Sequence, residues 1–124
     1  MVSRYGEPLF VISVAARLLE MHPQTLRKYE REGLIAPSRT TGNLRLYSDR
    51  DIERLRQVKY LVDERGLNLA GVQLALELTG RLRDLRVRLG GDAAGPLAAE
   101  LDHLMAMVGF VEESSQAPKG STRP

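Results

Sequence analysis

Five of the six residues from Arg27 to Glu32 in the stretch MHPQTLRKYEREGLI carry charge, and the stretch has a proline near its start and a glycine near its end. Arg27, Lys28 and Arg31 supply cations, while Gln24 and Thr25 just upstream supply neutral donors and acceptors. Cations neutralise phosphates, and amide or hydroxyl groups read base edges in a groove. A second basic pair follows in SRTTGNLRLYS, where Arg39 and Arg45 flank a Thr-Gly-Asn turn. The chemistry these residues suggest is recognition of a polyanion, DNA in the first place. The plainer alternative is a solvated helix face neutralised by Glu30 and Glu32. Arg39 and Arg45 on an adjoining element favour DNA.

These side chains need elements to hold them. Ser13 is suited to cap a first helix of about two turns in VAARLLEM, with Val14, Leu18 and Met21 on its inner face. Pro23 is suited to the first position of a second helix, because its missing N–H is not needed there, and Gly33 is suited to end that helix. Leu26 and Tyr29 should face inward, with Leu34 and Ile35 closing the core. Two short helices joined by a tight turn form a helix-turn-helix. Residues 38–40 and 44–47 are β-compatible arms around the turn, predicting a small hairpin, or wing. Alternation puts Leu44 and Leu46 on one face and Arg45 and Tyr47 on the other. Arg39 and Arg45 could then grip the DNA backbone, whereas Tyr47 could contact DNA or pack beneath the wing.

Ser48 and Asp51 resemble a capping box for a third helix of roughly 15 residues, in which Ile52, Leu55, Val58 or Lys59, and Val62 form the apolar stripe. Asn68 should cap a fourth segment with Leu69, Val72 and Ala75 or Leu76 inward. Beyond it, Leu78, Leu82, Leu85 and Leu89 form one heptad-like seam, and Leu97, Leu101, Leu104, Val108 and Val111 form another after the breaker GGDAAGP. Each is too short to stand alone in water, so they must pack on each other, on the domain or on a second chain. Met105, Met107 and Phe110 could line an adaptable pocket or fill a core. The predicted fold is mainly α: a flexible arm (1–8), a winged helix-turn-helix with a small β-hairpin wing (9–78), C-terminal dimerisation helices (79–113) and a disordered tail (114–124).

The bulk composition agrees with this division. Of 124 residues, 18 are Lys or Arg and 16 Asp or Glu, a net charge of +2. Residues 1–90 hold 16 basic and 11 acidic side chains, and residues 91–124 hold 2 and 5, so a basic front (+5) precedes an acidic back (−3). There is no cysteine, which excludes disulfides, thiolate metal sites and cysteine nucleophiles and fits a reducing compartment. His22 and His103 are too few and too far apart in sequence to suggest a metal site. No glycine loop for phosphate and no nucleophile with a base at credible spacing is present, so neither an enzyme nor a cofactor is expected. MVSRYGEP lacks a signal-peptide core and no apolar run approaches a membrane span, which predicts a cytoplasmic location.

RKYEREGL and GNLRLYSDRD resemble the two signatures of the MerR family of bacterial transcription regulators. ISVAARLLEMHPQTLRKYEREGL and GLNLAGV resemble its HspR heat-shock repressor branch, a likeness that covers about residues 10–78. The resemblance implies a dimeric repressor of chaperone genes that binds inverted repeats, with the DnaK chaperone as co-repressor. The candidate DNA-binding set is Ser13, His22, Gln24, Thr25, Arg27, Lys28, Arg31, Arg39, Thr41, Arg45 and Tyr47. The candidate dimer interface is Leu82, Leu85, Leu89, Leu97, Leu101, Leu104 and Val108. The sequence departs from the family pattern at Lys28, where many relatives carry an aromatic, and at GGDAAGP, which interrupts the expected single dimer helix. Two rival functions are a chaperone-modulating adaptor without an operator and a ligand-responsive MerR-type activator.

Overall fold

The computed structural model describes residues 5–90 and 95–110. In chain order its elements are β1 (Phe10–Val11), α1 (Ile12–Leu19), α2 (Pro23–Arg31), β2 (Ser38–Arg39), β3 (Arg45–Tyr47), α3 (Asp49–Asp63), α4 (Leu69–Arg88) and α5 (Pro96–Met107). The chain divides into two compact units between Lys59 and Tyr60, inside α3. Among the described residues no helix is long and apolar enough to cross a membrane.

In the first unit α1 packs on α2. Ser13 is not the cap of α1: Val11 occupies that position without a side-chain bond, and Ser13 is an exposed residue of the first turn. The inner face of α1 is Ala15, Ala16 and Leu19, with Leu18 left 42% exposed. The predicted stripe was out of phase because the helix leaves directly from β1, so the sheet sets its rotation. The following turn passes through Glu20 at φ 55, a left-handed conformation uncommon for a residue with a side chain. Lys59 Nζ donates to the carbonyl of Leu19 at 3.0 Å and satisfies an acceptor that the helix end leaves open.

His22 caps α2, its Nδ1 accepting from the backbone N–H of Gln24 at 3.0 Å, and Pro23 opens the helix. The far end is a Schellman motif: Gly33 at φ +80, with Gly33 N–H donating to Glu30 O and Leu34 N–H to Tyr29 O, both at 3.0 Å. Leu26, Tyr29, Leu34 and Ile35 are buried, as their spacing predicts. Arg54 Nε on α3 donates to Leu34 O at 2.6 Å and holds this end down.

The wing is part of a three-stranded antiparallel sheet of order β1-β3-β2. Phe10 and Val11 pair with Tyr47 and Leu46; Ser38 and Arg39 pair with Leu46 and Arg45. Sequence patterning missed β1 because two residues running straight into a helix give no alternation and no turn. The arm expected at residues 1–8 is held from Tyr5 onward: Arg50 N–H donates to Tyr5 O at 2.9 Å, and the Tyr5 hydroxyl donates to the Glu53 carboxylate. Helix α3 starts in the predicted capping box, with Ser48 N–H donating to Asp51 Oδ2 and Asp51 N–H to Ser48 Oγ, each at 3.0 Å. Its buried stripe is Ile52, Leu55, Val58 and Leu61, the last in place of the predicted Val62.

In the second unit the predicted fourth segment and the first seam are one 20-residue helix, α4, capped by Asn68 Oδ1, which accepts from Gly71 N–H at 2.9 Å. Val72, Ala75 and Leu76 are buried, but Leu69 is not. Helix α5 packs on α4. A two-pronged pair fastens them, Arg86 Nε to Asp102 Oδ1 at 2.9 Å and Arg86 Nη2 to Oδ2 at 3.3 Å, and the Arg83 guanidinium lies 5.1 Å from the Phe110 ring centre. Met105 and Phe110 are buried, so they belong to a core, while Met107 is exposed.

Two glycines of this unit should respond oppositely to alanine. Gly109 sits at φ +84, and a Cβ there would lie 2.5 Å from Tyr60 Cδ2. Gly109→Ala should therefore cost about 2–4 kcal/mol in urea unfolding, from left-handed strain plus overpacking. Gly80 lies inside α4 with nothing within 4 Å of an added Cβ. Gly80→Ala should stabilise by about 0.5–1 kcal/mol.

Candidate nucleic-acid interface

Gln24, Lys28 and Arg31 follow an i, i+4, i+7 spacing and are exposed together on α2, with half-buried Arg27 on the flank of that face. Leu26 and Tyr29 anchor the opposite side. Arg27 Nη1 donates to Gln24 Oε1 at 3.0 Å, which fixes both side chains along the first turns. Lys28 Nζ lies 6.0 Å from the Tyr29 ring centre. The face is thus three cations and an amide on a helix whose N-terminus is set by His22 and Pro23. His22 is the backbone cap, and Thr25 is half-buried in the first turn.

The wing turn closes tightly. Thr40 N–H donates to Leu44 O at 3.0 Å, Asn43 N–H to Thr40 O at 2.8 Å and Leu44 N–H to Thr40 Oγ1 at 3.1 Å. Asn43 adopts φ 68, which asparagine tolerates better than most residues. Thr41 is exposed at the tip. Arg39 and Arg45 stand opposite one another across β2 and β3, a like-charged pair that would be repulsive on its own. Both reach Glu30 of α2: Arg39 Nη2 to Glu30 Oε2 at 2.8 Å, and Arg45 Nε to Glu30 Oε1 at 2.6 Å. Arg39 Nη1 also donates to Asn43 O at 3.2 Å.

Two sequence expectations change here. Leu44 is half exposed and Tyr47 is fully buried, so the inward face of β3 is the one carrying Arg45 and Tyr47. Tyr47 is too deep to touch DNA and serves as core. Burial pushes its hydroxyl pKa up, and the Glu30 charge adds to that shift. Glu30, in turn, does not neutralise the α2 cations; it binds the wing. Its role was hidden because an acid among four charged neighbours pairs on paper with whichever base is nearest in sequence. The only hint was the surplus of arginine on the facing hairpin.

The candidate dimer residues also separate. Leu101 is buried within the second unit, Leu85, Leu97 and Leu104 are exposed at 38%, 57% and 37%, and Leu82, Leu89 and Val108 are half-buried. Val111 and the tail predicted at 114–124 lie outside the described residues.

Burial raises the Glu30 pKa, but the hydrogen bonds and charges of Arg45 and Arg39 outweigh it and hold the carboxyl below its ordinary value. A depressed carboxylate stabilises the fold at neutral pH and loses that contribution as pH falls through its folded pKa. Wild type should therefore be more stable than Glu30→Gln in urea at pH 7, and the gap should close as pH falls below the ordinary carboxylate range.

With this geometry in place, the comparisons with known proteins are specific. The pattern of the MerR HTH family of regulatory proteins matches residues 10–79. The chain is 52% identical over 95 residues to the heat shock protein HspR of Streptomyces coelicolor, covering 77% of this chain and 60% of that protein. It is 40% identical over 73 residues to the HTH-type transcriptional regulator GlnR of Bacillus anthracis, covering 59% and 56%. With the HTH-type transcriptional regulator MlrA of Escherichia coli it shares 39% identity over 69 residues, 55% of this chain and 28% of the relative. The matched stretch spans less than two-thirds of the length of each. The family match covers the helix-turn-helix, the wing, α3 and the first half of α4, and the chain belongs to the MerR HTH family of regulatory proteins.

Proposed function

We propose that this protein is a sequence-specific DNA-binding transcriptional repressor of heat-shock and chaperone genes, acting as a dimer on an inverted repeat with the DnaK chaperone as co-repressor. The observation that carries the DNA reading is the exposed face of α2, with Gln24, Arg27, Lys28 and Arg31 beside a wing that brings two further arginines. An α-helix fits the major groove of B-DNA, and this face offers donors for base edges together with cations for phosphates. The heat-shock assignment rests on the similarity to HspR. The dimer rests on the leucines that α4 and α5 leave exposed, and a two-fold dimer matches a palindromic site.

Fluorescence anisotropy tests the DNA reading, using a duplex with an inverted repeat from the promoter of the protein's own gene and a scrambled duplex. The promoter duplex should bind about a thousandfold tighter or more. Arg27→Ala should cost about 1–3 kcal/mol on the promoter duplex alone, and Lys28→Ala should reduce the salt slope by about one unit on both duplexes. Equal, weak binding of wild type to the two would turn the assignment toward a chaperone adaptor.

The dimer is tested by sedimentation velocity. Leu85→Glu should shift the protein to monomer while it stays folded. Leu101→Glu, at a position buried within the chain, should unfold the second unit instead.

A further inference from the structure

We propose that Glu30 determines specificity by positioning: its carboxylate fixes the two wing arginines against α2 and withholds their charge from DNA whose backbone does not fit. The inference rests on the DNA-binding reading above and adds to it a residue that would touch no nucleotide.

Three observations carry it. Each Glu30 oxygen holds a guanidinium from a different strand, at 2.8 Å and 2.6 Å, so one side chain ties α2 to both arms of the wing. The two arginines are in direct register, where their mutual repulsion would splay β2 from β3 without a carboxylate between them. The donors are also divided in a telling way. Arg45 gives Glu30 its Nε, and a guanidinium has further donors on its Nη atoms. Arg39 uses Nη2 for Glu30 and Nη1 for the turn carbonyl of Asn43.

Charge-assisted hydrogen bonds of this kind can be shared between two anions when both lie in the guanidinium plane. A backbone that meets the wing at the orientation Glu30 sets can engage the Nη edge of Arg45 while the carboxylate keeps Nε. A backbone lying elsewhere must first draw the arginines off Glu30. Phosphate affinity, normally blind to sequence, thereby becomes conditional on how the groove seats α2.

The test measures the full-length chain by anisotropy on the promoter and scrambled duplexes across a salt series, for wild type and Glu30→Gln, with thermal unfolding as the check on folding. Glu30→Gln should bind the scrambled duplex about 3–10-fold tighter, with a salt slope steeper by about one to two units as the arginines reach phosphates. Promoter affinity should stay level or fall, so the promoter-to-scrambled ratio drops at least about threefold. An unchanged or higher ratio overturns the proposal, including when both affinities fall together. If Glu30→Gln does not fold, Glu30→Asp, which keeps the charge but is too short to span both strands, carries the same ratio test. Failure of the underlying reading is separate: wild type itself would show no preference between the duplexes.

Discussion

Burial of Tyr47 is the constraint from which the first unit takes its form. Side chains alternate along a strand, so placing Tyr47 in the core commits Arg45, two residues earlier, to the same face. An arginine facing α2 needs a carboxylate there, and Glu30 is the residue that meets it. Arg39 follows because its register places it opposite Arg45. A hydrophobic requirement at one position of a three-residue strand thus fixes the electrostatics between the wing and α2.

Helix α3 supports the other end of the same arrangement. Its capping box starts it directly after Tyr47, and along its length Arg54 and Lys59 donate to carbonyls at the end of the α2 turn and the end of α1. Both cations hold backbone carbonyls. Helix ends carry unsatisfied acceptors and partial negative charge, and a long basic side chain from a neighbouring helix satisfies both. The helix-turn-helix is thereby clamped at its turn and at its exit, which leaves the exposed face of α2 to its cations.

Much of this was legible in the sequence because it depends on local chemistry. Pro23, Gly33, the Ser48–Asp51 box, the Asn68 cap and the residues 41–43 turn are signalled by residue types that few other conformations favour. What was not legible depends on contacts distant in sequence. The phase of α1 is set by β1 pairing with β3, and so Ser13 was misread as a cap and Leu18 as core. Alternation along β3 separated Leu44 and Leu46 from Arg45 and Tyr47 but left open which face turns inward, and the burial of Tyr47 decides it. The two partners of Glu30 lie 9 and 15 residues away on two strands, beyond any helical spacing rule.

The strand pair β1–β3 also bears on how the chain folds. Its registered residues, Phe10 with Tyr47 and Val11 with Leu46, enclose α1, α2 and β2 within one loop. Both helices and the hairpin are built from near-neighbour contacts and can form early, whereas this pairing must wait until the loop's ends meet. Its closure then locks what it surrounds, because neither helix can fray without pulling on a strand. Two residues of β1 therefore convert a row of short elements, each marginal by itself, into a single cooperative unit.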